Sequence, residues 1–393
     1  MSVSDLKQRA IAAIDARCDE LVNISAMLHA NPEIAFQEFE SSALLCDALE
    51  KDGFLVARGV GTLETAFRAE ARGKRDGATI AILAEYDALP DIGHACGHNI
   101  IGTAAIGAGI GVRAVMNQLP GRIVVIGTPA EEGGGGKIVL LQNGVFDGVD
   151  AAMMTHPSGR TLVARGSLAS TRLTIEFAGK AAHAAAAPAD GINALEAVIL
   201  TFNNVNALRL HLKSDARVHG IITNGGSAAN IIPDYASAQF SVRAATQQYA
   251  SEILQRVIVC AEAAGIATGA QFKYATRPGY AEMLPNSVMA RLLGDNWRAM
   301  GVPIDALRPN EPMGSTDMGN VSQTVPAIHP YIAIGPEGTP GHTPEFRAAA
   351  ISPGGHAGLI NAAKGMAMTA IDLLSDPELL RQAKQEFAEN VQR

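Results

Sequence analysis

What the chain is short of limits what it can be. It has no run of about 18 uncharged apolar residues, so no segment is expected to span a membrane. The first 19 residues mix charges with apolar residues at helical spacing and lack a secretory signal's apolar core. Positive charge is in deficit: 31 Lys and Arg against 39 Asp and Glu leave a formal net charge of −8. That argues against a nucleic-acid partner. Cysteine is scarce and scattered, at Cys18, Cys46, Cys96 and Cys260. Such spacing excludes a disulfide framework and suits a reducing cytoplasm, the expected location. What remains is ordinary for a globular protein, with 48% apolar and 18% charged residues. At 393 residues there is room for two domains with separate cores.

Chemistry concentrates after the apolar run 78–84, which reads as a buried strand. The fifteen residues from Glu85 to Asn99 hold three acids, two histidines and a thiol. Polar residues that begin where a strand ends are a common arrangement for a site in an open α/β sheet. Cys96 and His98 flank Gly97, and a thiolate and an imidazole so spaced can face one metal ion. Taken alone the pair could equally be a nucleophile and its base.

Further along, 4–30 reads as one amphipathic helix ending near Asn31-Pro32, and 38–51 as a second. Short strands are expected within 53–69. The Ala- and Gly-rich stretch 100–118 reads as a tightly packed buried helix. Its glycines lie inside that helix, not at a strand-to-helix turn, which rules out a dinucleotide loop. Strand 122–127 runs into Glu131-Glu132 and four glycines, and strand 151–155 runs into His156. The glycines before Lys137 are no P-loop, because Glu131 stands where the first glycine is required and Ile138 where Ser or Thr is. Three strand ends thus deliver polar residues to one edge of a sheet. From residue 166 the texture changes to β-α-β-β-α-β, the ferredoxin-like split motif. Residues 166–280 read as a domain inserted into the first. Helices at 287–300 and 353–374 and a strand at 330–334 then return to it.

Glu131-Glu132 ends an apolar strand, where one acid can bind metal while the other takes a proton from water. His156, and His342 in Gly341-His342-Thr343-Pro344-Glu345, complete a possible set. Each histidine alone could be structural. Cys96, His98, Glu132, His156 and His342 together suit two divalent ions that share one ligand. His29, His211, His219, His329 and His356 have no partner pattern, although His329-Pro330 could line the cleft. Cys18, Cys46 and Cys260 fall on helices as core thiols.

These motifs, in this order along essentially the whole chain, resemble the M20 metallopeptidase and amidohydrolase family. His94-Ala95-Cys96-Gly97-His98 resembles its cysteine-ligand branch. The run from Cys96 to Ala104, with Glu132 and the glycines before Lys137, is most similar to the aminobenzoyl-glutamate hydrolase and aminoacylase-1-like 2 dipeptidase subset. The resemblance implies that Cys96 bridges two metals, that Glu132 and His342 serve one ion, and that His98 and His156 serve the other. It implies Glu131 as general base and Asp87 as the acid that orients a ligand histidine. His183 matches an oxyanion-stabilising histidine supplied by a neighbouring subunit, and Asn230 and Arg243 match residues that bind the substrate and its carboxylate. It also puts the polar turn Gly314-Ser315-Thr316-Asp317 near the site. Two departures stand out. Glu85 occupies a position where many relatives carry a metal-binding histidine, and Ala184 to Ala187 offer no polar side chain beside His183.

The expected fold is therefore α/β. Residues 1–165 and 281–393 form a mixed-sheet, zinc-peptidase-like catalytic domain, and 166–280 an inserted ferredoxin-like α+β dimerisation or lid domain. The expected activity is that of a cytoplasmic, homodimeric amidohydrolase with two divalent ions, Zn or Mn. Its substrate would be a small N-acyl or N-aroyl amino acid or a dipeptide with a free carboxylate. Two rivals are a Cys96–His98 thiol hydrolase and a non-catalytic or heteromeric binding subunit. The first leaves Glu132, His156 and His342 without purpose, and the second would be signalled by a lost base or ligand.

Overall fold

The apolar runs of the sequence become the middle of a sheet. The structure is a computed structural model that describes residues 1–309 and 311–391. Helices α1 (Val3–Asp15), α2 (Cys18–Ala30) and α3 (Phe39–Lys51) lead into strands β1 (Leu55–Arg58), β2 (Phe67–Arg72) and β3 (Thr79–Ala84). Helix α4 (His98–Arg113), β4 (Arg122–Gly127), α5 (Gly136–Gln142), β5 (Ala151–Met153) and β6 (His156–Ser158) follow. Next come β7 (Ala169–Ala178), α6 (Ala194–Arg209), β8 (Arg217–Asn224), β9 (Tyr235–Ala244), α7 (Gln247–Thr268) and β10 (Gln271–Tyr280). The chain closes with α8 (Ser287–Ala299), α9 (Met318–Ser322), β11 (Ala327–Ile328), β12 (Tyr331–Ala333), α10 (Pro344–Ala349), α11 (Pro353–Ser375) and α12 (Pro377–Val391).

Contacts divide these elements into two units. The first comprises residues 1–166, 283–313 and 320 onward. Its mixed six-stranded sheet has the order β1-β2-β4-β3-β5-β11. Strands β4, β3, β5 and β11 run parallel, and β1 and β2 are antiparallel additions at one edge. Parallel strands are covered on both faces, which is why β3 is buried along its whole length. The C-terminal ends of β3, β4 and β5 therefore share one edge. Helix α4 is buried from His98 to Val112, with α11 and α1 packed against it. Its small residues allow the closeness: a Cβ on Gly109 would stand 2.6 Å from Val125 Cγ2.

The second unit comprises 167–282 with 314–319. Its sheet, β10-β7-β9-β8, is antiparallel throughout. Leu173, Ile175 and Phe177 of β7 alternate inward and form one core with Val198 and Val205 of α6 and Ile253 and Val257 of α7. The element order is the expected split βαβ motif. Residues 314–319 group with this unit, away from their chain neighbours. No helix among the described residues is long and apolar enough to cross a membrane.

Some elements depart from expectation. The helix expected over 4–30 is two helices, interrupted at Ala16-Arg17. The apolar register runs on from Ile14 to Leu21, so periodicity cannot reveal the break. Arg17 there pairs at 2.6 Å with both Glu20 and Asp52, the latter far along the chain. Helix α4 starts at His98, two residues before the expected position, and His156 opens β6 instead of lying in a loop. Helices α5, α10 and α12 were not anticipated.

Candidate metal centre

Each strand end of the parallel edge presents its polar residues through a backbone feature. After β3, Glu85 and Asp87 are each 1% exposed. The chain then turns through Cys96 to Gly97, which caps α4 with φ +80°. A side chain at residue 97 would be strained, and its Cβ would stand 2.5 Å from Pro157 Cγ. Glycine is thus what lets Cys96 and His98 flank so tight a turn. After β4, Ala130 sits at φ +62° just before Glu131 and Glu132. That conformation costs a residue with a Cβ about 1–2 kcal/mol. The buried carboxylate of Glu38 holds it there, accepting the N–H groups of Ala130 and Phe36, each at 2.9 Å. His342 is likewise at φ +63°, its N–H bonded at 2.9 Å to the carbonyl of Ala95, next to Cys96.

Ligand-type atoms converge in two groups that share a sulfur. Cys96, His98 and His156 present atoms all within 4.8 Å of one another, as do Cys96, Glu132 and His342. His98, Glu131 and Glu132 form a third such group. Cys96 Sγ lies 3.4 Å from His156 Nε2, and His342 Nε2 lies 3.3 Å from Glu132 Oε1. Partners outside this cluster set which imidazole nitrogen faces it. His98 Nδ1 is 3.0 Å from Asp87 Oδ1, and His156 Nδ1 is 2.7 Å from the Pro157 carbonyl. Both Nδ1 atoms therefore carry the proton in the neutral ring, and both Nε2 atoms turn lone pairs inward. The second oxygen of Asp87 accepts the Glu132 N–H at 2.9 Å, so one carboxylate ties together two strand ends.

Electrostatics show what such a cluster lacks. Burial pushes the Cys96 thiol well above its usual range, Glu132 and Glu131 add to the shift, and His98 opposes it. Burial also disfavours charge on His98, but neighbouring Cys96 and Asp87 outweigh it and raise the imidazole well above its ordinary value. His156 is lowered to about 4, by burial and then by charge on His98, and is neutral. His98 Nε2 and Glu85 Oε2 are buried 3.4 Å apart without a hydrogen-bond partner among the described residues. Buried acids, an elevated thiol and inward lone pairs fit a cation, which would lower the thiol's pKa and take up the lone pairs.

Two neighbours were not assigned from the sequence. Lys137 is fully buried, with Nζ 2.5 Å from Glu85 Oε1. A buried acid so paired is held in place, which accounts for Glu85 at a position where a histidine ligand was expected. The signal was available as a lone lysine after four glycines, but nothing in the spacing ties residue 137 to residue 85. His329 and Tyr331 stand 5.5 Å, centroid to centroid, from the ring of His156. Cys46 is a buried core thiol, raised to about 11 by burial.

The remaining predicted residues, His183, Asn230 and Arg243, belong to the second unit. His183 and Asn230 are exposed and adjacent: residue 183 bridges to Ile231, and the Asn230 carbonyl accepts the Ala184 N–H. His183 Nδ1 accepts the N–H groups of Ala185 and Ala186 at 3.2 and 3.1 Å. The alanine run thus orients the imidazole through its backbone and leaves the proton on Nε2. Arg243 is half-buried on β9 opposite Ser170 and Arg217.

Comparison with known proteins agrees with this arrangement. Residues 81–357 match the family model described as peptidase family M20/M25/M40. The chain is 38% identical to the Xaa-Arg dipeptidase of Mus musculus over 97% of its own length and 92% of that protein's. It is 31% identical to a p-aminobenzoyl-glutamate hydrolase polypeptide of Escherichia coli (strain K12), over 95% of this chain and 93% of that one. Among solved structures, a Bacillus subtilis protein described as a dinuclear metal binding peptidase superposes with a TM-score of 0.69 at 23% identity. It covers 92% of this chain, and 99% of its own length is matched.

Proposed function

The chain belongs to peptidase family M20/M25/M40, metal-dependent hydrolases of amide bonds, and from that premise we propose that it is a dinuclear dipeptidase. The substrate class is a dipeptide with a free carboxylate and a basic C-terminal residue. The relative at 38% identity, named for cleavage before arginine, supports that choice. N-aroyl amino acids such as 4-aminobenzoyl-glutamate are the second reading, supported by the relative at 31%. One observation carries the proposal: two triads of ligand atoms meet at Cys96.

Cys96, Glu132 and His342 would hold one ion, and Cys96, His98 and His156 the other, with Zn or Mn as candidates. Bound divalent ions supply Lewis acidity toward the scissile carbonyl and lower the pKa of the attacking water. Glu131, 9% exposed beside this cluster, accepts the proton of that water and returns it to the leaving amine nitrogen. Asp87 keeps His98 in its Nδ1–H tautomer, so that Nε2 remains a lone-pair donor. His183 Nε2–H, supplied by the partner in a homodimer, donates to the developing oxyanion. Asn230 and Arg243 hold the substrate carboxylate.

The test is a panel assay. Purified protein is offered dipeptides ending in Arg, Lys, Glu or Leu, N-acetyl amino acids, and 4-aminobenzoyl-glutamate, each with Zn²⁺, Mn²⁺ or Co²⁺. Turnover of Xaa-Arg and Xaa-Lys should lead, vanish with a chelator, and return with metal. Turnover that survives complete metal removal would point to thiol chemistry. No turnover of any member would point to a binding subunit.

A further inference from the structure

His329 has no part in the chemistry above, yet it is placed as if it should. It precedes β12 in the catalytic unit and is 4% exposed. Its ring stands edge-on to that of His156, with centroids 5.5 Å apart. His329 Nδ1 lies 3.3 Å from the Tyr331 hydroxyl. Its Nε2 is buried and has no hydrogen-bond partner among the described residues. Over the Tyr331 ring, at 3.8 Å from its centroid, lies the Arg165 guanidinium.

The direction of the hydrogen bond follows from these contacts. Burial holds the Tyr331 phenol above its usual range, so it keeps its proton. A cation on the ring face draws electron density from the ring and makes the phenol O–H a better donor. The acceptor beside it is His329 Nδ1. A neutral imidazole that accepts at Nδ1 carries its proton on Nε2. An imidazolium would carry a proton there too, so the inference does not depend on the charge of His329. Nε2–H is therefore a buried donor without an acceptor, which calls for an explanation. A metal ion cannot supply it, because an N–H offers no lone pair. The missing group is an oxygen, and beside His156 the oxygen that arrives with the reaction is that of the scissile carbonyl.

We propose that His329 Nε2–H donates a hydrogen bond to the oxyanion that develops on the substrate carbonyl, with Tyr331, capped by Arg165, as the positioning residue that sets its tautomer. The proposal rests on the amide-hydrolase reading above. It supplies a donor from the catalytic unit of the same chain, in addition to the one assigned to His183.

Three variants of the metal-loaded, full-length protein test it: His329→Phe, His329→Gln and Tyr331→Phe. Phenylalanine keeps the ring and removes both nitrogens, and glutamine restores an N–H near the position of Nε2. For His329→Phe, kcat on glycyl-arginine should fall by about 10²–10³-fold, the usual cost of one oxyanion donor. KM should stay within about threefold, since the interaction is made only in the transition state. Metal content should equal that of wild type. A phosphinate isostere of glycyl-arginine, whose anionic oxygens mimic the oxyanion, should lose affinity by a similar factor, while the product arginine binds unchanged. His329→Gln should regain at least about tenfold of the lost kcat, and Tyr331→Phe should fall between the two. A wild type that cleaves nothing in the panel would defeat the functional reading itself. An active wild type alongside a His329→Phe variant within about threefold of it in kcat would overturn this inference alone and leave a bound water as the partner of Nε2. Loss of metal in His329→Phe, or glutamine no better than phenylalanine, would overturn it as well.

Discussion

The two oxygens of Asp87 act on different elements. Oδ1 orients His98 at the start of α4, and Oδ2 holds the Glu132 N–H beyond β4. Glu131 and Glu132 are thereby separated in task although adjacent in sequence: Glu132 Oε1 faces His342, and Glu131 is left for the water. Glu131→Gln should retain fold and metal and lose turnover by about 10²–10⁴-fold, because an amide cannot take the proton. Elemental analysis alongside kcat checks this; a variant with full metal content and more than a tenth of wild-type activity would remove Glu131 from that role. Cys96→Ala should instead lower the metal content, since Cys96 belongs to both triads. A thiol-nucleophile enzyme would show the reverse, with all its metal and no activity.

At the scale of elements, α4 is the part least tolerant of change. Its first residue is a site histidine, its N-cap is Gly97, and its body is buried along its length. Leu21 approaches the helix at Gly107, Val125 of β4 at Gly109 and Ile14 of α1 at Gly111. Gly109→Ala gains helix propensity but puts a Cβ 2.6 Å from Val125 Cγ2. Overpacking of this kind costs about 1–3 kcal/mol and should outweigh the propensity gain of about 1 kcal/mol. Urea unfolding should show a lower midpoint with an unchanged m-value. A midpoint at or above that of wild type would mean that the packing around α4 has slack.

At the scale of the whole molecule, the residues assigned to catalysis are divided between two units. The metal-binding cluster and Glu131 are in one; His183, Asn230 and Arg243 are in the other. If His183 acts across a homodimer, two dead proteins should complement each other. Glu131→Ala protein mixed with His183→Ala protein, after subunit exchange, gives half mixed dimers under random assortment. Each of these has one site with its own Glu131 and a partner's intact His183. Activity should return to about a quarter of wild type. Confirmed exchange without recovered activity would assign His183 to its own subunit or to no catalytic task.

Much of this was legible without coordinates, for local reasons. Apolar runs such as 78–84 and 122–127 must be buried, and polar residues at their ends must then gather on one edge. The alternation along β7 and the element order that follows identify the split βαβ unit by pattern alone. Other features were set by contacts between residues far apart, which no local pattern encodes. The break at Ala16-Arg17 accompanies an ion pair with Asp52. Lys137 matters because folding buries it against Glu85, 52 residues away. His329 gains its orphaned nitrogen only from the company of Tyr331, Arg165 and His156. Residue types and their periodicity determine which groups must be buried and which strand ends carry chemistry. Only tertiary packing decides which buried charge meets which partner, because burial penalises an unpaired polar group wherever in the chain its partner lies.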